Sequence, residues 1–352
     1  MAMGGNPAEN HPCGFKWVME AKRRRGARLI CVDPRFNRTA AVSEHFVQIR
    51  AGTDIAFLGG LINYALTNNL YHQEYIRLFT NSTFIVKENF GFKDGFFSGF
   101  DPEKRSYDKT SWQYELDPKG YAIQDPTLTH PRSVFQLLKK HYSRYTPEVV
   151  SEITGAPVED FLKAAVLFCS TGRPERAGTI MYALGWTHHS FAVQLIRTAA
   201  ILQLLLGNIG RPGGGLNALR GHSNIQGGTD HGVAYEKLPG YMKIPHARQQ
   251  DIKTYLEENT PRPLASTSLN YWSHYPRFFA SFMKTMYGHY ATRENDFAYH
   301  YLPKIERNYS WVHLFDDMYA GKLEGMIVFG MNPVANGPHS QKMIAALSKL
   351  KW

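Results

Sequence analysis

The sequence predicts an α/β protein made of two doubly wound, Rossmann-like parallel-sheet domains, both incomplete, with loop-rich insertions. Three observations predict it. Short apolar runs alternate with helix patterns over residues 1–66, the order that builds parallel sheets. A loop pattern, Gly-x-Asn-Pro-x-x-Asn-x-Pro, spans residues 4–12 and recurs at 330–338, each time ahead of a helix pattern. A glycine-rich stretch, residues 207–232, follows the long apolar helix pattern 191–206 and carries Arg220 between Leu219 and Gly221.

The length of 352 residues suits two domains, expected at 1–221 and 222–352. The net charge of +10 points to anionic partners: nucleic acid, a membrane surface or a phosphorylated cofactor. The one dense basic run, Lys22 to Arg25, precedes Gly26 and reads as the C-terminal turn of a helix, and no nucleic-acid motif accompanies it. Nucleic acid is therefore not expected as a partner. The three cysteines, Cys13, Cys31 and Cys169, are widely spaced and form no C-x-x-C, which excludes an iron–sulfur or zinc signature in these residues. The longest apolar run, residues 199–206, is too short to span a bilayer, and the N-terminus lacks a signal-peptide pattern.

Taken in order, residues 4–10 read as a loop and 15–25 as a helix. Residues 28–32 read as a strand ending at Asp33-Pro34-Arg35. Only Met1 to Met3 precede the first loop, so the domain is expected to begin one strand late, as a fragment would. Residues 46–49 read as a strand. Gly52-Thr53-Asp54 then caps a helix to about Leu66, with Thr53 or Asp54 accepting from free helix amides. From about 79 to 131 aromatics, glycines and Asp-Pro steps predict surface hairpins, whose rings either form a subunit contact or pin the insertion down. Helices are expected at 133–142 and 158–169. A strand at 179–184 then runs into Gly185-Trp186-Thr187-His188-His189. Those histidines suit hydrogen bonding beside a cofactor better than metal ligation, since no further ligands accompany them. Helices are expected at 248–258, 275–287 and 340–347, with a strand at 325–329.

In parallel sheets, ligands sit on loops after the strand carboxyl ends. The repeated loop has that place twice. Glycine lets the backbone approach a ligand, a helix N-terminus favours phosphate, and asparagine donates to phosphate or base. Asn-Pro turns are common, but five matched positions in two βα contexts argue for two related nucleotide-binding halves. Asp33, at the next strand end, suits a ribose hydroxyl or a guanine edge. The corresponding second-half strand is expected near Leu350. Arg220 offers a permanent two-pronged donor for a carboxylate or phosphate.

GGNPAENHP, VDPRFNRTA, AGTDIAFL, YALGWTHHS and GGGLNALRGHSNIQG together resemble the molybdopterin oxidoreductase family, and within it the catalytic (alpha) subunit of membrane-associated respiratory formate dehydrogenases. The resemblance extends over essentially the whole chain. It implies a bis-molybdopterin guanine dinucleotide cofactor with molybdenum or tungsten. Gly4, Gly5, Asn6, Asn10, Asp33, Arg35, Gly52 and Asp54 would hold one guanosine pyrophosphate arm. Gly185, Trp186, Thr187 and His188 would pass a pterin, with His188 standing where relatives show glutamine. Gly221, His222, Ser223 and Asn224 would line the pterins, and Gly330, Met331 and Asn332 would serve the other dinucleotide. Arg220 would orient formate, whose oxidation releases carbon dioxide, two electrons and a proton. The resemblance also implies an iron–sulfur electron-transfer subunit and a membrane cytochrome subunit as partners, in a periplasmic, membrane-associated complex. The selenocysteine or cysteine metal ligand and the iron–sulfur segment would lie upstream of Met1, and a closing domain downstream. That makes this chain an expected central fragment, inactive alone. Two other readings share these motifs: a nucleotide-binding remnant without metal, and a sibling molybdopterin enzyme.

Overall fold

The computed structural model describes residues 1–352, and its first element departs from expectation. Ala2–Met3 form strand β1, paired on both sides, so a strand does precede the first loop. Two residues suffice because neighbouring strands occupy both edges. One turn, α1 (Pro7–Asn10), leads into α2 (Pro12–Arg25), with proline opening each helix where no amide is needed. Gly26 ends α2 in the left-handed conformation, its amide bonded to Ala21 O, with Lys22 to Arg25 in the last turn as expected. Next come β2 (Ile30–Asp33), α3 (Arg38–Ala41), β3 (His45–Gln48) and α4 (Asp54–Thr67). The Thr53 hydroxyl donates to Arg50 O at 2.6 Å and caps nothing, contrary to expectation.

Helix α4 is apolar all round and is buried on nearly every side. It packs against α7 (Pro147–Thr154), α8 (Val158–Cys169) and α10 (Ala192–Leu205). Phe57, Leu61, Phe161, Leu195 and Leu202 are fully buried there. Before α7 lie α5 (Gln73–Phe79), two small hairpins and α6 (Val134–Tyr142). The hairpins pair β4 (Phe92–Lys93) with β5 (Phe96–Phe97), and β6 (Phe100–Asp101) with β7 (Ser106–Tyr107). The insertion's rings pin it down. Phe97 stacks on His141 of α6 at 5.9 Å, with Trp112 edge-on to Phe97 at 5.8 Å.

Strand β8 (Thr179–Tyr182), the one-turn α9 (Leu184–Thr187), α10 and β9 (Gly215–Ala218) complete this unit. Strand β9 lies inside the glycine-rich stretch that read as loop. Its approach is a buried polar anchor. Gln203 Nε2 donates to Gly178 O at 2.9 Å, and Asn208 Nδ2 donates to Gln203 Oε1 at 2.9 Å. The five-stranded sheet runs β3-β2-β1-β8-β9, all parallel.

The chain divides into two compact units, Met1–Gly221 and His222–Trp352. The second contains α11 (Ile225–Asp230), α12 (Ile252–Asn259), α13 (Tyr275–Tyr287), α14 (Trp311–Tyr319), α15 (Pro333–Asn336) and α16 (Ser340–Leu347). Tyr255, Tyr275, Phe279, Met283 and Tyr299 form one core; Phe315, Met318, Met343 and Ala346 form another. The expected second sheet is absent: this unit has isolated bridges but no strand ladder. Residues 325–329 are irregular, with Ile327 and Phe329 exposed. A strand forms only with a neighbour. Here two backbone bonds exist, Lys351 N to Glu324 O at 2.7 Å and Met326 N to Trp352 O at 3.3 Å.

Candidate functional site

Because all five strands are parallel, their carboxyl ends share one edge. The order advances from β1 through β2 to β3 on one side and from β8 to β9 on the other. It reverses between β1 and β8, where open α/β sheets bind ligands. Gly4, Gly5 and Asn6 follow β1, Asp33 and Arg35 end β2, and Gly52 and Asp54 follow β3. Gly185, Trp186, Thr187 and His188 follow β8, and Arg220 and Gly221 follow β9. The sheet thus gathers these residues, with Asn10 one helical turn on, along a single edge. In the other unit, His222, Ser223 and Asn224 are exposed just before α11. Gly330, Met331 and Asn332 are exposed just before α15.

At the reversal the β1 and β8 loops touch. Ala183 N donates to Gly4 O at 3.0 Å. Gly4 has φ +79°, and a Cβ there would lie 2.5 Å from Trp186 Cγ and 2.7 Å from Nε1. A Cβ on Gly185 would sit 2.7 Å from Gly4 O, so neither position accepts a side chain. Trp186 is fully buried beneath this contact and stacks on Tyr182 at 5.0 Å. It offers no ring face to a ligand, whereas Thr187 and His188 are exposed. The Trp186 indole N–H donates to Asp54 Oδ1 at 3.0 Å, joining the β8 loop to the start of α4.

The helix-end amides are mostly engaged within the chain. Pro7 has none, Ala8 N donates to Thr39 Oγ1 at 3.0 Å, and Glu9 and Asn10 donate to Asn6 O. The amides of Gly5 and Asn6 have no such bond, so an anion would meet the loop rather than the helix end. Asn6 Oδ1 accepts from Thr39 Oγ1 at 2.8 Å, which fixes its side chain. In the repeat of this loop, Asn332 Oδ1 accepts from Val334 N and Ala335 N at 3.1 Å, an ordinary cap. Sequence reasoning did not single out Thr39, which is buried on a one-turn helix, although it lies in the motif segment VDPRFNRTA.

Asp33 Oδ1 accepts from Arg35 N at 2.8 Å, and the exposed Arg35 guanidinium lies beyond it. Burial raises the Asp33 carboxyl above its ordinary value, against the opposing Arg35 amide and charge. Burial likewise raises Asp54, opposed by the Trp186 hydrogen bond. A carboxyl raised in the folded state holds its proton longer there than in the unfolded chain. Its effect is therefore greatest stability below the ordinary value of 3.8, declining as pH rises through the folded value and level above it. Relative to wild type, Asp54→Asn is expected to gain stability across that window in urea titrations run at stepped pH. A pH-independent difference would show that Asp54 is not desolvated.

Arg220 is exposed, and its guanidinium joins none of the chain's ion pairs. Its carbonyl accepts from His11 Nε2 at 3.2 Å, which ties the β9 end to the junction of α1 and α2. Arg220 and the unbonded amides of Gly5 and Asn6 put donors suited to an anion on this edge, with the Asp33 carboxyl beside them as an acceptor.

That arrangement defines an α/β protein whose strand-end loops gather where a parallel sheet reverses its order. The chain belongs to the molybdopterin oxidoreductase family, whose model matches residues 1–351. It is 53% identical over 352 residues to the nitrate-inducible formate dehydrogenase major subunit of Escherichia coli K12, covering 100% of this chain and 35% of that protein. It is 50% identical over 354 residues to formate dehydrogenase 2 subunit alpha (cytochrome c-553) of Nitratidesulfovibrio vulgaris, again 100% and 35% of the two chains. To the formate dehydrogenase major subunit of Haemophilus influenzae it is 47% identical over 352 residues, 100% of this chain and 34% of the relative. The chain thus spans about a third of the length of these relatives. No helix is long and apolar enough to cross a membrane.

Proposed function

We propose that this chain is part of the catalytic subunit of a molybdopterin-dependent formate dehydrogenase, which oxidises formate to carbon dioxide, two electrons and a proton. The observation that carries the reading is the convergence of the β1, β2, β3, β8 and β9 loops on one edge, in a chain that aligns over its own full length with about a third of such a subunit. The chain's own residues fit the cofactor's anionic arm. Gly4 and Gly185 allow the β1 and β8 loops to close on each other, the Gly5 and Asn6 amides are spare, and Asn6 is held by Thr39.

In this reading unit 1 is a dinucleotide-binding domain. Gly4, Gly5, Asn6, Asn10, Asp33, Arg35 and Gly52 hold one guanosine pyrophosphate arm, and Thr187 and His188 face a pterin. Gly221, His222, Ser223 and Asn224 serve the pterins, and Gly330, Met331 and Asn332 belong to the second dinucleotide. The cofactor, when bound, supplies a two-electron acceptor at molybdenum or tungsten. Arg220 grips the formate carboxylate through two parallel N–H bonds and fixes the direction of its C–H. Electrons leave to an iron–sulfur subunit and a membrane cytochrome subunit in a periplasmic complex.

The test is the metal and pterin content of the full subunit carrying this chain, purified anaerobically. Molybdenum or tungsten together with oxidised-pterin fluorescence is the expected result. Absence of both would leave a nucleotide-binding remnant; their presence without formate turnover would indicate a sibling enzyme.

A further inference from the structure

We infer that Asp54 is a positioning residue that acts through Trp186, locking the β1 and β8 loops together, rather than a direct cofactor ligand. Asp54 is 6% exposed and its Oδ1 receives the indole N–H at 3.0 Å. A buried carboxylate in an apolar setting is costly unless it is hydrogen-bonded, and a buried indole N–H needs an acceptor. Each satisfies the other.

The geometry explains what the bond holds. The indole lies against the Gly4 backbone, where a built Cβ would fall 2.5 Å from Cγ. Its other flank stacks on Tyr182, the last residue of β8, at 5.0 Å and 25°. The ring is therefore packed against both the Gly4 backbone and Tyr182, beside the Ala183 N to Gly4 O bond. Rotation about the side chain would remain if the N–H had no anchor, and Asp54 supplies that anchor from a third loop. It sits at the first turn of α4, the most deeply buried helix of the unit. The Asp54 bond thus ties the loop after β3 to the contact already made between the β1 and β8 loops. The spare Gly5 amide follows Gly4 directly, so the lock sets the position of the donors that the cofactor reading assigns to the anionic arm; that consequence rests on the reading, whereas the lock does not.

The experiment uses the full chain as Asp54→Ala, Asp54→Asn, Trp186→Phe and the Ala/Phe double variant. Hydrogen–deuterium exchange is followed in peptides covering residues 4–10 and 183–190, with α8 amides as reference. Loss of one buried charge-assisted hydrogen bond is worth about ten- to a hundredfold in local opening. Asp54→Ala and Trp186→Phe should each accelerate both loops by that factor and leave α8 unchanged. The double variant should exceed neither, and Asp54→Asn, which keeps an acceptor, should stay near wild type. Additive effects, or acceleration confined to α4, would overturn the lock. If Asp54→Ala does not fold, Trp186→Phe against Asp54→Asn decides: loose loops in the first and tight loops in the second are required.

Calorimetric titration with guanosine diphosphate gives the second readout. Weakening by Trp186→Phe with retention in Asp54→Asn supports positioning. The opposite pattern makes Asp54 a direct ligand. Failure of the wild type to bind counts against the cofactor reading, and the exchange data still decide the lock.

Discussion

Gly4→Ala is expected to destabilise the first unit by about 4 kcal/mol, the sum of a left-handed backbone penalty and the overpacking of a closed contact. The conformation at Gly4 has φ +79°, and the new methyl would have to displace a fully buried indole. Trp186 cannot yield, because Tyr182 lies behind it and Asp54 holds its N–H. Gly26→Ala is the control in the same unit. Its φ of +65° imposes the same kind of strain, but nothing lies within 4 Å of a Cβ there. That variant should cost about 1 to 2 kcal/mol, the backbone term alone. Urea unfolding of both variants separates the two contributions. Equal costs would mean that the indole does not rest against Gly4. Against a typical folding free energy of about 5 to 15 kcal/mol, the larger effect removes a substantial share of the margin.

Arg220→Lys in the complete subunit is expected to lower kcat/KM for formate by about a hundredfold or more, the usual cost of losing one preorganised donor to a developing or bound anion. Lysine keeps the charge and loses the planar fork, so the substrate is still attracted while its orientation is freed. The reading that Arg220 orients formate further requires that kcat fall along with kcat/KM. Unchanged kcat/KM would remove Arg220 from the substrate site. The residue is well suited to this comparison, because its guanidinium joins no ion pair whose loss would confuse stability with catalysis.

The repeated loop shows how far local pattern reaches. At both Asn6 and Asn332 a one-turn helix forms within what read as a loop, opened by proline and followed by the longer helix that was expected. Glycine at positive φ precedes each, at Gly4 and Gly330. Their surroundings diverge, however. Gly4 is closed over by Trp186, while a Cβ on Gly330 would meet nothing within 4 Å. Asn332 caps its own turn, whereas Asn6 is bonded to Thr39 on another element. The same nine-residue pattern therefore produces one cross-braced loop and one self-contained turn.

Periodicity and turn chemistry determined most elements of the first unit, because those signals are local: α2 with its Gly26 end, β2, β3, α4, α8, β8 and α10 fall within a few residues of expectation. The motif loops, and the family they belong to, were legible for the same reason. Other features needed partners distant in sequence. Met1 to Met3 were too short to read as a strand and became one only between β2 and β8. Residues 325–329, which carry a better strand pattern, formed no ladder. Strand pairing is a property of neighbours, not of the run itself. The bond from Asp54 to Trp186 spans 132 positions, and no spacing rule announces it. Sequence chose which loops carry the chemistry; tertiary packing chose which side chains hold those loops in place.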